Sequence, residues 1–297
     1  MKQVRLFLKI VLFLGVGFFL ELPSLACSSC GSGGDDPLIL FPNESKKAFQ
    51  SIGYQGGFKD YSSDGTLTKA RTIESRIRGY SSLGLRLGSH SFVTLGLPYF
   101  QNSNEHQSLR VLGDPTINTR LTLHRQTIVR PHIPQVQLLL GAKKSLSKGS
   151  HESDHPSLLD IGGTGFDDIR LGGDLWWAMT SMVFGISYSE THSQSEKIEG
   201  NTHGIGVGRT YNITTGYSRG KIKAICGLVK LTRGRRVFYG ESISDSDLAQ
   251  NNAFATFEYK ISDATSLRQT LVQSGVYKNN KNSSQSTTLT SAWMTTW

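Results

Sequence analysis

Cysteine is scarce in this sequence, and long apolar runs are confined to its start. The 297 residues include three cysteines, so an oxidised chain has at most one internal disulfide and is not a disulfide-stapled scaffold. After residue 20, no run approaches the roughly eighteen consecutive apolar residues of a membrane helix. These two absences argue against a small disulfide-rich domain and against a protein that spans a membrane with helices.

Acidic residues are fewer than basic ones, but the excess positive charge is not concentrated. There are 32 Lys and Arg residues against 23 Asp and Glu, a net charge of +9. Residues 1–26 hold three bases and one acid, which leaves +7 for the remainder. The bases are spread along the chain without a nucleic-acid recognition motif, so we expect no nucleic-acid partner.

The first 26 residues have the order of a secretory signal peptide. Basic residues come first and an apolar segment follows over residues 11–20. Ser24 and Ala26 are small residues at the −3 and −1 positions of a cut after Ala26. The sequence therefore predicts an exported protein in three parts. These parts are a cleaved signal peptide over 1–26, a flexible periplasmic segment over 27–45 and a main domain over 46–297.

The stretch LPSLACSSCGSGGDD (22–36) places Cys27 and Cys30 directly after the predicted cut. A Cys-x-x-Cys pair can ligate Cu or Zn or form a disulfide, and Cys27 as the first mature residue can be acylated. One such pair supplies only two of the about four ligands that zinc requires. We interpret the cysteines first as the mature start of the chain, with metal binding, a disulfide and a lipid anchor as open alternatives.

Apolar and polar residues alternate with a period of two through most of the chain after residue 47. The same alternation recurs in segments 72–88, 92–100 and 114–125. It gives each strand one apolar and one polar face. In the first of these segments the two faces carry Ile73, Ile77, Leu83 and Leu85 on odd positions and Arg76, Arg78 and Arg86 on even positions.

We predict an all-β fold, a transmembrane antiparallel up-and-down β-barrel of about twelve strands in the outer membrane. The predicted strands mostly span about 10–15 residues, which suits a tilted membrane strand better than a soluble one. Short connections alternate with longer polar ones, as the two rims of such a barrel require. The strands are 47–60, 67–87, 90–100, 114–125, 134–145, 166–179, 182–191, 203–217, 220–232, 251–262, 266–277 and 286–297.

The chain ends on an aromatic residue in a strand-like segment. Trp297 shares its parity with Trp293 and Leu289 in the segment LTSAWMTTW. A terminal strand that closes on an aromatic residue resembles the sorting signal of outer-membrane barrels, and tryptophan suits the membrane interface. We therefore expect Trp297 to act in sorting, with the barrel-assembly machinery and outer-membrane lipid as partners.

Three glycine-containing segments carry a family resemblance. They are LGDPTINTRLTLHR from Leu112, PQVQLLLGAKKSLSKG from Pro134 and GGTGFDDIRLG from Gly162. Together they resemble a loosely defined group of bacterial outer-membrane barrels, the transporters or phenol-degradation-associated channels, over roughly residues 95–188. The resemblance implies an outer-membrane location and a transport role, and it implies no particular solute.

The polar faces of the predicted strands suggest what lines the barrel interior. Basic residues on these faces outnumber the acids Asp114, Asp168, Asp174 and Glu258, so we expect a mildly cationic lumen. This predicts a passive channel or transporter for small solutes with a weak preference for anions. An open passage and a plugged lumen remain alternatives. The expected lumen-lining bases are Arg76, Arg78, Arg86, Arg120, Arg170 and Lys223.

Two other functions are alternatives to transport. A metal-binding barrel would hold Cu or Zn with Cys27 and Cys30 or with His151 and His155, although the polar loop 146–165 has the composition of an ordinary solvated loop. An outer-membrane enzyme is less expected, because segment 102–108 (NSNEHQS) has the letters of a phospholipase motif in the wrong order. We therefore expect no enzymatic activity and no obligatory cofactor.

Overall fold

The computed structural model describes residues 45–69, 73–126, 132–178, 181–198, 201–277 and 279–297. Twelve of its strands form one antiparallel ring in which each strand pairs with the next along the chain. No helix in these described ranges is long and apolar enough to cross a membrane. The ring strands are β1 Lys46–Tyr61, β2 Ser75–Arg86, β3 Ser91–Ser103, β4 Thr116–His124, β5 Gln135–Lys143, β6 Asp168–Ala178, β7 Met182–Ser193, β8 Gly208–Arg219, β9 Ile222–Arg233, β10 Leu248–Lys260, β11 Thr265–Ser274 and β12 Ser284–Thr296.

The ring is closed by pairing of the first strand with the last. The β1–β12 register runs from Lys47 opposite Thr296 to Asp60 opposite Ser284, with one irregularity between Gly56 and Lys59. At the chain end, the Lys46 amide and the Ser45 hydroxyl donate to the Trp297 carbonyl at 3.0 and 2.6 Å. Closure leaves the ring without a free sheet edge, which a strand-built membrane protein needs.

The two rims of the barrel differ in the length of their connections. At the rim that holds Ser45 and Trp297, residues 87–90, 220–221 and 261–264 make short turns, and the connection 125–134 is longer. At the opposite rim the connections are long, and the longest is the segment 144–167 between β5 and β6. We call these the short-turn rim and the long-loop rim. Short strands lie along the long-loop rim at Leu67–Lys69, Ser108–Leu112, Glu196–Ile198, Asn201–Ile205, Arg236–Phe238 and Glu241–Ser242.

Large apolar side chains cover the outside of the barrel. Every ring strand contributes at least one of them, and the side chains that alternate with them point inward. Such a continuous exposed apolar band is foreign to a soluble monomer and is the lipid-facing surface of a membrane barrel. The band includes Ile52, Ile77, Leu95, Ile117, Leu140, Leu171, Ile186, Ile213, Leu228, Phe257, Leu271 and Leu289.

The inside of the barrel is mostly polar, with one apolar cluster near the short-turn rim. There Phe49, Phe92, Ala292 and Met294 are buried together, and Tyr80 packs against them. The Phe49 and Tyr80 rings meet edge to face at 6.1 Å between centroids. This cluster ties β1, β2, β3 and β12 together from within, on the wall that contains the closing pair of strands.

The predicted fold is confirmed, with corrections at strand ends. The second predicted strand, 67–87, is two elements, because Leu67–Lys69 folds back onto the end of β1 and the ring strand begins at Ser75. The eighth, predicted to begin at residue 203, begins at Gly208, because segment Asn201–Ile205 pairs with other rim strands. The predicted signal peptide over 1–26 and nearly all of the segment 27–45 lie outside the described residues.

Two substitutions at adjacent positions test which face of β8 contacts lipid. Ile213 lies mid-strand between Ile186 and Leu228 on the outer face, and Asn212 points inward. An arginine facing the bilayer midplane costs about 2–4 kcal/mol. We therefore expect Ile213→Arg to reduce the stability of the barrel in lipid vesicles by about that amount, and Asn212→Arg to be tolerated. Urea titrations of vesicle-embedded protein measure both, and equal costs would contradict the assigned faces.

Candidate functional site in the barrel lumen

A cavity of about 210 Å³ lies in the lumen, and all twelve ring strands contribute to its lining. Residues 162–164 of the long segment between β5 and β6 complete it. The cavity is thus a cross-section of the barrel interior rather than a pocket on one wall. Its charged lining residues with inward-facing side chains are the bases Arg76, Arg78, Lys143, Arg170 and Arg233 and the acids Asp114 and Asp168. Arg209 also borders the cavity, but its side chain is on the outward parity of β8 and is paired with Glu190 at 2.9 Å.

The six basic residues predicted to line the lumen all occupy inward-facing positions of their strands. Arg76 and Arg120 are buried, and Arg76, Arg78 and Arg170 line the cavity. Arg86 is the last residue of β2 and Lys223 the second of β9, so both lie near the short-turn rim, away from the cavity lining. The predicted set therefore divides between two levels of the barrel.

Two of these arginines are arranged around one aromatic ring. The Arg76 and Arg78 guanidinium carbons lie 5.0 and 6.0 Å from the centroid of Phe100. Arg76 also donates from Nε to the Asn102 side-chain oxygen at 2.5 Å. A ring face under a guanidinium and a hydrogen bond at its Nε fix its direction. Phe100 was not among the predicted lumen residues, although it shares the inward parity of β3.

Further into the barrel, basic and acidic side chains are paired between strands. Arg120 on β4 approaches Asp174 on β6 with a nitrogen–oxygen distance of 3.4 Å. Toward the short-turn rim, Arg268 donates to Glu258 at 2.8 Å. Charges of opposite sign are therefore paired inside the barrel at these two levels. Lys223 and Lys47 also lie close enough to act on Glu258, so bases outnumber acids near the short-turn rim as well.

The segment 144–167 folds into the mouth of the barrel. Leu159, Ile161 and Phe166 in it are 0, 2 and 4% exposed. The Asn102 side-chain amide, itself fully buried, donates to the carbonyls of Leu159 and Ile161 at 2.8 and 3.0 Å. The interpretation of residues 146–165 as an ordinary solvated loop is therefore wrong at Leu159 and Ile161, which are buried in the mouth, whereas Leu146 and other residues of the segment are exposed. We call residues 144–167 the inward loop.

A buried charge cluster holds the base of the inward loop. Lys143 on β5 lies 2.8 Å from Asp168 and 3.4 Å from Asp114, and it donates to the Thr164 hydroxyl. The other oxygen of Asp114 accepts from the Ser147 amide at 3.0 Å and the Ser147 hydroxyl at 2.6 Å. These contacts bring together the three segments that carried the family resemblance, namely Gly113–Asp114, Gly141–Lys143 and Gly163–Gly165.

Two glycines of the inward loop allow this close approach. A Cβ on Gly163 would lie 2.0 Å from an Asp114 oxygen and 2.4 Å from the Ser147 hydroxyl. Gly165 has a φ of +78°, a left-handed conformation that other residues rarely adopt. The GGTG segment therefore serves the packing of the loop against the wall.

A stack of aromatic and imidazole rings joins the inward loop to two neighbouring connections. His151 stacks on Phe166 at 4.7 Å between centroids and lies 6.2 Å from His203, which is buried. His203 in turn meets Phe238 at 4.6 Å and Tyr239 at 5.5 Å. Three long connections of the long-loop rim are thereby packed into one body.

The two histidines among the predicted metal ligands, His151 and His155, are not brought together. His151 belongs to the ring stack, whereas His155 contacts Gln107 through Nε2 at 2.6 Å. Within the described ranges, no group of three or more His, Cys, Asp or Glu side chains is placed to hold a metal ion. Cys27 and Cys30 lie outside these ranges, so metal binding by the N-terminal segment stays a prediction.

The two ends of the inward loop are also joined by a charged pair, Lys144 and Asp167. Asp167 accepts from the Lys144 ammonium at 2.6 Å and from the Ser145 amide at 2.7 Å. These two hydrogen bonds hold the pKa of Asp167 below its ordinary value of 3.8, and the bond from Lys144 has the larger effect. The carboxylate is therefore ionised whenever the loop is docked at neutral pH.

Comparisons with known proteins place the fold. No family model and no curated protein matches the sequence. An outer-membrane channel from Pseudomonas putida F1 matches in structure with a TM-score of 0.69 and 11% identity, over 91% of this chain and 100% of that one. The NanC porin matches with a TM-score of 0.53 and 8% identity, over 84% and 99%. The translocator domain of the autotransporter NalP from Neisseria meningitidis matches with a TM-score of 0.51 and 8% identity, over 90% of this chain and 92% of that one. The chain thus has the fold of outer-membrane β-barrels.

Adding a side chain at Gly163 tests the docking of the inward loop. Gly163→Val places carbon atoms where Asp114 and Ser147 now lie, and overpacking of this kind costs about 1–3 kcal/mol. We expect the loop to leave the mouth, so that trypsin cleaves after Lys148 in folded protein faster than in the unmodified barrel. Gly208→Ala, whose added Cβ meets no atom closer than 3.6 Å, is the control. Unchanged cleavage in Gly163→Val would contradict the docked geometry.

The Asp167 anchor predicts an acid-dependent opening. A carboxyl with a depressed folded pKa stabilises the docked state above its ordinary pKa, and this contribution is lost as pH falls through the lowered value. Asp167→Asn removes the charge at any pH. We expect pepsin to cut the loop of Asp167→Asn faster than that of the unmodified protein at about pH 4, and the difference between the two rates to be smaller at about pH 3. Equal rates at both pH values would exclude an anchoring role.

Proposed function

We propose that the protein is an outer-membrane channel for small solutes, with a weak preference for anions. The observation that carries this proposal is the lumen cavity. All twelve strands line it, and five inward-facing bases share it with two acids. A passage with a basic excess in a low-dielectric surround attracts anions and repels cations.

The inward loop supports a limit on solute size. It occupies the mouth at the long-loop rim, and its residues 162–164 form part of the cavity wall. The remaining space, about 210 Å³, is below the roughly 300–1,000 Å³ of sites for drug-sized ligands. Solutes therefore pass between the loop and the barrel wall, and large polymers are excluded.

The rims support an orientation. In outer-membrane barrels the short turns face the periplasm and the long loops face the outside. The short-turn rim also holds both described chain ends, Ser45 and Trp297. In this orientation the N-terminal segment with Cys27 and Cys30 lies in the periplasm. Trp297 is exposed on the outer face at the periplasmic rim, where the barrel-assembly machinery could bind it.

The residues that suggested an enzyme have other roles. In the NSNEHQS segment, Asn102 holds the inward loop and Gln107 contacts His155. Neither contact prepares a nucleophile. Transport explains the cavity and the loop together, and we therefore favour it over catalysis.

Conductance in planar bilayers tests the proposal. We expect purified protein to give small, weakly anion-selective currents, and Arg78→Glu to move the reversal potential toward that of the cation, because the charge at the cavity changes sign. Lys221→Glu, in the exposed short turn between β8 and β9, is the matched control and should leave the reversal potential unchanged. Replacing residues 150–161 by a short glycine–serine linker should raise the conductance. Absence of any current would refute the channel.

A further inference from the structure

We infer that the lumen cavity is a saturable binding site for a small carboxylate with an apolar body, and that the channel passes this class of solute by way of that site. This inference deepens the proposed channel function and rests on it for the transport step. The binding step stands on the cavity lining alone, since the lining combines an oriented pair of arginines with apolar side chains on β3 and on β9 to β11.

The charged half of the site is on β2. Arg76 and Arg78 both lie over the Phe100 ring, and Arg76 is held at its Nε by Asn102. A planar guanidinium presents two parallel donors that match the two oxygens of a carboxylate, whereas a lysine ammonium does not. Lys143, the lysine in the lining, is already engaged by Asp114 and Asp168.

The charge of the lining continues around the barrel. Arg170 on β6 and Arg233 on β9 face the same cavity. These strands are well separated from β2 in the ring, so guanidinium groups reach the cavity from three sides. A solute anion is therefore attracted at any point of its passage across this level and is held best where two arginines act together.

The apolar half of the site distinguishes an organic acid from an inorganic anion. A purely electrostatic filter would need only polar walls, but five apolar side chains share the cavity with the arginines. Contact with them removes hydrocarbon from water, so each methylene of a bound solute that reaches them strengthens binding. The five are Pro98, Phe100, Leu231, Leu248 and Val272.

The size of the cavity narrows the class further. About 210 Å³ suits an acid of a few carbon atoms rather than a long-chain lipid or a sugar polymer. We therefore choose hexanoate as the probe. Acetate has the same charge without the apolar body, and inorganic phosphate has the charge with no carbon at all.

The experiment measures binding and conduction separately. Calorimetric titration of refolded protein in detergent, with empty micelles as the blank, gives the Kd of each probe. We expect hexanoate to bind at least about tenfold more tightly than acetate or phosphate, a ratio that a few buried methylenes supply. In bilayers, hexanoate should reduce the chloride current with half-reduction near its Kd.

Two variants separate the halves of the site. Arg78→Gln should weaken hexanoate about tenfold, because one charged partner of the carboxylate is lost. Arg86→Gln changes an inward arginine of the same strand outside the cavity and is the matched control. Val272→Thr keeps the side-chain shape but adds a hydroxyl, so it should weaken hexanoate more than acetate. Heat-modifiable gel mobility confirms that each variant is folded, and Val272→Ala replaces Val272→Thr if that variant does not fold.

The outcomes are distinct for the site and for the channel. Binding of phosphate as tight as that of hexanoate, or equal losses in Arg78→Gln and Arg86→Gln, would overturn the organic-acid site even if chloride is conducted. Binding of hexanoate with the expected variant pattern, without any current, would uphold the site and refute the channel. A current that shows no saturation by hexanoate, together with no measurable binding, would overturn the site and leave the channel intact.

Discussion

The structure depends on one constraint, the pairing of every backbone polar group of a chain that crosses lipid with strands. Since hydrocarbon offers no hydrogen-bond partner, a sheet can satisfy this constraint only by closing on itself. Here closure is made by β1 and β12, over a register from Lys47–Thr296 to Asp60–Ser284. Once the ring is closed, strand geometry leaves each residue one of two destinations, lipid or lumen. A charged side chain is costly at the level of the lipid-facing band, so most of the charges that the strands carry there point inward and find their partners in the lumen.

The inward loop is a second consequence of that enclosed charge. Lys143, Asp114 and Asp168 come from or border three consecutive ring strands, and their burial demands that each be paired. The loop supplies the remaining partners through the Ser147 amide and hydroxyl and the Thr164 hydroxyl. Removing one member of such a buried network costs about 3–5 kcal/mol, because the others are left uncompensated. The position of the loop is therefore coupled to the electrostatics of the wall, and the size of the lumen cavity depends on both.

The strands and their faces could be predicted from the sequence because both depend on a local period of two. Arg76 and Ile77 are assigned to opposite faces by their neighbours alone, and the structure agrees. The ends of strands were less predictable. Leu67–Lys69 alternates like the ring strands, yet it folds back onto β1. The inward loop could not be predicted, because its decisive contact joins Asn102 to Leu159, 57 residues further along the chain. The glycines at 162, 163 and 165 were the available signal, and their meaning depends on Asp114 being close to them in space.

The family resemblance acquires a physical interpretation from this geometry. Its three segments are distant in sequence, yet Asp114, Lys143 and Thr164 meet in one cluster that fixes the inward loop. The hydrogen bonds of these residues are directed at one another, so their donors and acceptors are engaged in holding the loop. The motifs thus describe how the lumen is narrowed, whereas Arg76, Arg78, Arg233 and the apolar side chains of the cavity lie outside the motif segments. A shared motif set therefore predicts a shared loop position and does not predict a shared solute.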